Sequence, residues 1–372
     1  MANFHSYEYN TIDWYDRGGS FTWTKPSDID ESKPILVHVW GAGGSGDDYY
    51  TSSLTNTGHG GGGGGLAVKL IDVSSLGATE TVSVGSPTHQ DGVGGTSSFG
   101  SHCSATGGNG GAVGSDNQGL TGYGVGGLGI GGDVNKRGGE GGNGYYSTTS
   151  NCGGGGGGSA PAPYGVNDGF RGGAGTTYSG GGGAGIGSNG GTMAYVGGWG
   201  GGSATRAADS NSPSSYYTAQ PGGGGLAGAG GASGSRQIFY TTYGGSCGKH
   251  GNQATGTVII TPNLLFFGGG GGCSGVTGAI SSGRIDTPAQ CGGPGGGGGG
   301  HGTMSVQAYM GGAGHGGILG GGGGGQAYDE GGKGGLAAGG GGTGYFANHS
   351  DRANYQVNGG NGLVVVQYAR NI

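Results

Sequence analysis

The sequence predicts a mainly irregular and β protein. A small β-sandwich-like base would carry a large packed bundle of polyglycine-II helices, with almost no α-helix. Three observations predict this. Glycine supplies 114 of 372 residues. It is gathered into runs such as Gly153 to Gly158, Gly295 to Gly300 and Gly320 to Gly325. Runs of β-branched and aromatic residues lie near both ends of the chain, at Ile35 to Trp40 and Leu363 to Tyr368.

A six-glycine run has no side chain to bury and is a poor α-helix or strand, at about 0.5–1 kcal/mol per residue relative to Ala. An extended left-handed helix of three residues per turn suits it better. That helix rises about 3.1 Å per residue and makes no internal hydrogen bonds. With no Cβ atoms, several such helices can lie side by side, and each N–H and C=O then finds a partner on a neighbour. Collagen meets the same need with glycine at every third position and abundant proline. Here the glycine spacing drifts and the chain has only 10 Pro, so a bundle within one chain is expected.

Leu, Ile, Val and Phe together make up about 14% of the chain, below the level of about 20% usual in globular folds. Disorder is disfavoured nonetheless, because net charge is only −6 and there are 20 Tyr and 4 Trp. Mild acidity argues against a nucleic-acid partner. Leu264 to Phe267 is the longest apolar run and is too short to enter and span a bilayer. Met1 to Asn10 has no apolar core of a secretory signal. Five widely spaced cysteines, without C-x-x-C, read as small packing residues of a reducing compartment.

In chain order, residues 1–18 form an aromatic leader. Phe4, Tyr7, Tyr9, Trp14 and Tyr15 are its candidates for docking onto a virion, with packing on the chain's own domain as the alternative. Residues 19–91 form the β-rich base, from Phe21 to Thr24, Ile35 to Trp40, Leu66 to Val73 and Thr79 to Val84, closed by a strand within 362–369. Residues 92–262 and 263–361 form two glycine-rich blocks. Gly41 to Gly46 matches G-x-G-x-x-G, but no helix is expected behind it, so it carries no dinucleotide site.

Phe21 to Gly46 resembles the opening of the glycine-rich domains of bacteriophage tail fibres and tail-tip proteins. There an aromatic strand and a proline turn precede a strand that ends in Trp-Gly-Ala-Gly-Gly. Gly64 to Val84, Gly94 to Gly100 and Gly359 to Tyr368 are similar to later landmarks of that family, in the same order. The resemblance implies a sandwich of polyglycine helices presenting loops to a receptor on the host surface.

On such a scaffold, function belongs to the segments between helices. Tyr145, Tyr146, Tyr164, Trp199, Tyr216, Tyr217, Phe239, Tyr240, Tyr243, Tyr309, Tyr345 and Phe346 are the receptor-binding candidates. Rigid amphipathic rings among Ser, Gly and Asn make a paratope-like surface. No catalytic constellation, metal-ligand spacing or cofactor motif stands out. The histidines are scattered, and Asp28, Asp30 and Glu31 read as a solvated turn. The expectation is therefore a non-enzymatic virion protein without cofactor, made in the bacterial cytoplasm. Its partners would be a host-surface protein or glycan and other tail proteins, and a homotrimer is compatible with that role. A non-binding fibre shaft or capsid decoration is the alternative, and an ice-binding protein a third.

Overall fold

The computed structural model describes residues 7–47, 58–89, 92–111, 122–145, 153–164, 167–176, 180–192, 200–202, 216–218, 235–237, 256–269, 275–280, 283–287, 289, 291–303, 313–325, 331–342 and 357–371. Its strands, in chain order, are β1 (Thr11–Tyr15), β2 (Gly19–Thr24), β3 (Ile35–Trp40), β4 (Leu66–Ile71), β5 (Thr79–Val84), β6 (Ser97–Phe99), β7 (Cys103–Ala105), β8 (Gly129–Ile130) and β9 (Val134–Lys136). They continue with β10 (Tyr216–Thr218), β11 (Ser235–Gln237), β12 (Gly256–Thr261), β13 (Leu264–Gly269), β14 (Gly275–Ile280), β15 (Gly283–Thr287), β16 (His301–Thr303) and β17 (Leu363–Tyr368). Among the described residues there is no α-helix, only one 3₁₀ turn at Val73–Ser75. The chain is mainly β and irregular, as expected.

The base is a pair of five-stranded antiparallel sheets. Sheet 1 runs β1-β17-β3-β4-β9 and sheet 2 runs β2-β5-β6-β7-β8. Between them Ile35, Val37, Val39, Val364 and Val366 of sheet 1 meet Trp23, Val82 and Phe99 of sheet 2. Sheet 1 also buries its other face. Across it run the rows Leu363–Trp40–Leu66–Lys136 and Trp14–Val365–His38–Val68–Val134. This double burial explains why β3 and β17 are almost continuously apolar rather than alternating.

The leader is part of this base, which corrects its assignment as a separate arm. β1 pairs with β17 from Thr11↔Tyr368 to Tyr15↔Val364. Tyr9 is buried, Trp14 packs 6.5 Å from Phe267, and Tyr15 lies 5.6 Å from Phe21. Tyr7 is half-buried beside Tyr9. The cause is alternation: Ile12 and Trp14 fall on the outer face of sheet 1 and extend its apolar rows beyond β17. Phe4 lies outside the described residues.

The glycine segments pack as a hexagonal lattice. In the 58–65 segment, successive N–H groups point at different neighbours and the direction repeats every third residue. Gly60 and Gly63 donate to Gly142 and Gly139, Gly61 and Gly64 to Gly340 and Ala337, and Gly62 and Gly65 to Asn109 and Thr106, at 2.7–3.1 Å. Its carbonyls accept from Gly155 and Gly158, from Gly124 and Gly127, and from Gly44 and Gly41. Three donor and three acceptor directions make six neighbours, as a threefold helix requires. The segments 153–160, 180–186, 319–325 and 337–342 are enclosed in the same way.

Following these bonds sorts the segments into four rows. One outer row holds 291–295, 313–317, 331–335 and 357–362. Behind it lie 296–300, 319–325, 337–342, 41–47 and 92–95. The third row holds 200–202, 180–186, 153–160, 58–65 and 106–111. The other outer row holds 189–192, 168–176, 138–145 and 122–128. The two blocks divided at residue 262 thus interleave, for example through Gly157 to Gly322 at 2.7 Å and Gly183 to Gly298 at 2.8 Å. The segments 41–47 and 58–65, assigned to the base from sequence, belong to the lattice. A glycine segment carries no side chain to announce its neighbour, so the sequence order of blocks says little about packing.

Candidate functional site

The bundle has two unlike ends. At the base end its helices run directly into strands, as Gly65 into β4 and Gly362 into β17, or reverse in four-residue turns. Three of these are type II turns, closed by Gly296 N–H to Gly293 O at 2.7 Å, Gly320 to Gly317 at 2.8 Å and Ala338 to Gly335 at 3.0 Å. Their third residues, Gly295, Leu319 and Ala337, have φ of 77°, 65° and 60°. Leu319 and Ala337 accept a conformation that normally favours glycine because their side chains plug the outer face of sheet 1. Both are fully buried with Trp40, Leu66 and Leu363.

A strap at 160–164 reinforces the joint. Trp40 Nε1 donates to Pro161 O at 2.9 Å, and Lys136 Nζ donates to Ala162 O at 2.8 Å. Burial pulls the Lys136 ammonium down to about 8, against the opposing pull of Asp168. His38 lies beneath, fully buried, stacked on Trp40 at 5.7 Å and edge-on to Tyr164 at 5.8 Å. Neither of its ring nitrogens has a hydrogen-bond partner among the described residues. Desolvation, with Lys136 adding to it, lowers its pKa to about 3. The β12–β13 hairpin covers the rest of this face. Leu265 and Phe267 are buried there, and Asn263 clamps the Tyr9 backbone through bonds of 2.7 and 2.9 Å.

The far end is built differently. There the described chain leaves the lattice at residue 47 and returns at 58, and does so again at 111 and 122, 145 and 153, 176 and 180, 192 and 200, 325 and 331, and 342 and 357. The intervening stretches are rich in Tyr, Ser, Thr and Asn. One described element stands beyond the lattice here. β16 continues outward from the 296–300 segment, β14 pairs parallel to it from Gly275↔His301 to Thr277↔Thr303, and β15 returns antiparallel. The β14–β15 hairpin therefore projects past the helix ends.

The candidate residues fall in different places. Tyr145 sits at the far end, one-third exposed, with its N–H on Gly153 O at 3.0 Å. Tyr164 does not belong to that surface: it is in the base-end strap, packed against the core of sheet 1. Tyr216 and Tyr217 lie on β10, paired with β11. Tyr146, Trp199, Tyr309, Tyr345 and Phe346 lie outside the described residues, in stretches whose described flanks are at the far end. Phe239, Tyr240 and Tyr243 are also outside the described residues. The β14–β15 projection falls in Val276 to Gln290, a stretch between glycine runs that also reads from sequence as a display segment, although it supplies no aromatic candidate.

Among the described residues no group of three His, Cys, Asp or Glu is placed to hold a metal. Asp28 pairs with Arg370 at 2.8 Å and Asp30 with Ser32 at 2.6 Å, which holds both carboxyls below their usual range. The Cys103 thiol is buried and pushed up to about 12, far from a reactive thiolate, while Cys291 is exposed and unbridged. No helix of the described residues is long and apolar enough to cross a membrane. Comparison with protein-family models and with curated proteins finds no match to this chain.

Proposed function

We propose that this protein is a bacteriophage virion component, a tail-fibre or tail-tip adhesin that binds the host surface without catalysis. The observation that carries the proposal is the asymmetry of the bundle. Its base end is closed by tight apolar turns, whereas its far end gives out, time after time, into aromatic and hydroxyl-rich stretches. Recognition on a rigid frame belongs to such connections, and Tyr with Ser, Thr and Asn is the composition of adaptable binding loops. Tyr145, the β14–β15 hairpin and the stretches at 193–199, 304–312 and 343–356 form the proposed contact surface. A host-surface protein or glycan is its partner. The test is exchange of residues 343–356 for the equivalent stretch of another phage. Host range or adsorption rate changes under this proposal. Unchanged adsorption after exchange of each far-end stretch would leave a purely structural role.

One observation favours a second reading, ice binding, which asks for a flat face of regularly spaced small residues. The outer face of sheet 2 carries the cross-strand row Ser20–Ser83–Ser98–Ser104 and the pairs Thr22–Thr81 and Thr24–Thr79. A thermal hysteresis measurement decides between the two. By contrast, the outer rows of the bundle carry Glu140, Arg171, His315 and Lys333 at their outward positions, which is no such face.

A further inference from the structure

We propose that His38 makes the joint between the β base and the glycine bundle acid-labile, so that its protonation releases the 160–164 strap from sheet 1. His38 occupies the centre of the outer face of sheet 1, between Val365 and Val68 in the adjacent strands. Burial without a hydrogen-bond partner and the nearby Lys136 charge both favour the neutral ring. Trp40 stacks on it and Tyr164 meets it edge-on. The other groups that share this buried face are Tyr9, Gln367 and the Lys136 ammonium. Lys136 is the one among them whose charge acts on the ring, and it disfavours a second positive charge. Asp168, which accepts from Arg137 N–H at 2.8 Å, raises the Lys136 pKa and so keeps that ammonium charged. No carboxylate among the described residues is hydrogen-bonded to His38, and neither ring nitrogen has a protein acceptor for a second proton.

The direction of the response follows from the lowered pKa. A histidine held neutral costs nothing above its ordinary value of about 6.5. Below that value the open form takes up a proton that the closed form refuses, and stability falls until the closed-form pKa near 3 is reached. Between pH 7 and pH 5 this raises the opening constant of the joint by about 20–30-fold. Opening frees the strap, whose bonds from Trp40 and Lys136 both end on backbone carbonyls and whose Tyr164 ring meets His38 edge-on. The lattice is tied by amide-to-amide bonds that do not titrate, so its interior is the slower part to open.

The experiment is hydrogen exchange on the full chain at pH 7 and pH 5, corrected for intrinsic rates, with His38→Phe beside the wild type. The Trp40 indole N–H on Pro161 O and the Leu265 N–H on the Tyr164 hydroxyl report the joint, and the Gly61, Gly63 and Gly157 amides report the lattice. In the wild type the joint loses protection about 20–30-fold while the lattice amides keep theirs. In His38→Phe, which retains the aromatic stack, the joint is unchanged across this range. An equal loss in His38→Phe, no loss in the wild type, or joint and lattice opening in step would each overturn the proposal. If the Phe variant fails to fold, His38→Leu supplies the same comparison.

Discussion

Gly61 shows how little space a lattice position has. An added Cβ there would lie 2.2 Å from Gly44 O and 2.5 Å from Ser45 O, and at Gly157 2.0 Å from Gly339 O. These neighbours are backbone atoms and cannot swing aside. Gly61→Ala or Gly157→Ala should therefore exceed the usual overpacking cost of about 1–3 kcal/mol, seen as a lowered midpoint of denaturant unfolding. Lys333→Ala, at an exposed outward position, should stay within about 0.5 kcal/mol. The contrast was partly readable beforehand. Runs without a side chain, Gly153 to Gly158 and Gly320 to Gly325, became enclosed helices. Segments written G-G-x, such as Gly138 to Asn143, became outer ones whose third residue faces water.

Turn residues give a second contrast at this scale. Leu319 is fully buried in the left-handed region, and Leu319→Ala should cost about 2–5 kcal/mol through the cavity it leaves. Ala337→Gly should move stability by less than about 1 kcal/mol. The relief of left-handed strain, about 1–2 kcal/mol, offsets the lost burial of a methyl worth about 0.8 kcal/mol. Thermal or chemical unfolding of the two variants checks both values.

Among the elements, β1 changes the interpretation of the leader most. Deleting residues 1–18 removes a strand paired along β17 and uncovers apolar rows of sheet 1. The truncated protein should fold poorly or unfold at markedly lower denaturant concentration, rather than fold normally and lose only attachment. Circular dichroism and solubility of the truncation decide. Strands β3, β4, β5 and β17 were legible because their β-branched runs are long and bounded by turn residues. The short strands β6 to β9 were not. Two or three residues, such as Ser-Ser-Phe or Val-Asn-Lys, are too short to carry a β signal of their own, and pairing is imposed on them by the neighbouring strands. Tyr164 was misplaced for a related reason: nothing local distinguishes a ring that packs under a strap from one that faces solvent.

For the molecule as a whole, fold and far end separate. The lattice holds both flanks of each far-end stretch, so changing the length of a stretch adds only loop-closure entropy, about 0.6 kcal/mol per doubling. Replacing residues 343–356 with a short Gly-Ser linker should leave the unfolding midpoint nearly unchanged and, under the proposed function, abolish or redirect adsorption. The hexagonal order itself could not be read from sequence. Threefold helices announce that neighbours exist, but amides alone do not name them. Register comes from the places where the segments meet side chains, at the strand junctions and at Leu319 and Ala337.

The six-way cross-linking of the enclosed helices has a mechanical consequence. Its hydrogen bonds lie across the long axis and point to every side. A load drawn along that axis, as between an anchored particle and a tethered cell, meets them in shear, many at once. No free edge offers a place to peel one pair after another. Such a body should resist pulling far better than a hairpin of equal length, while remaining open to attack wherever one added methyl forces two neighbours apart.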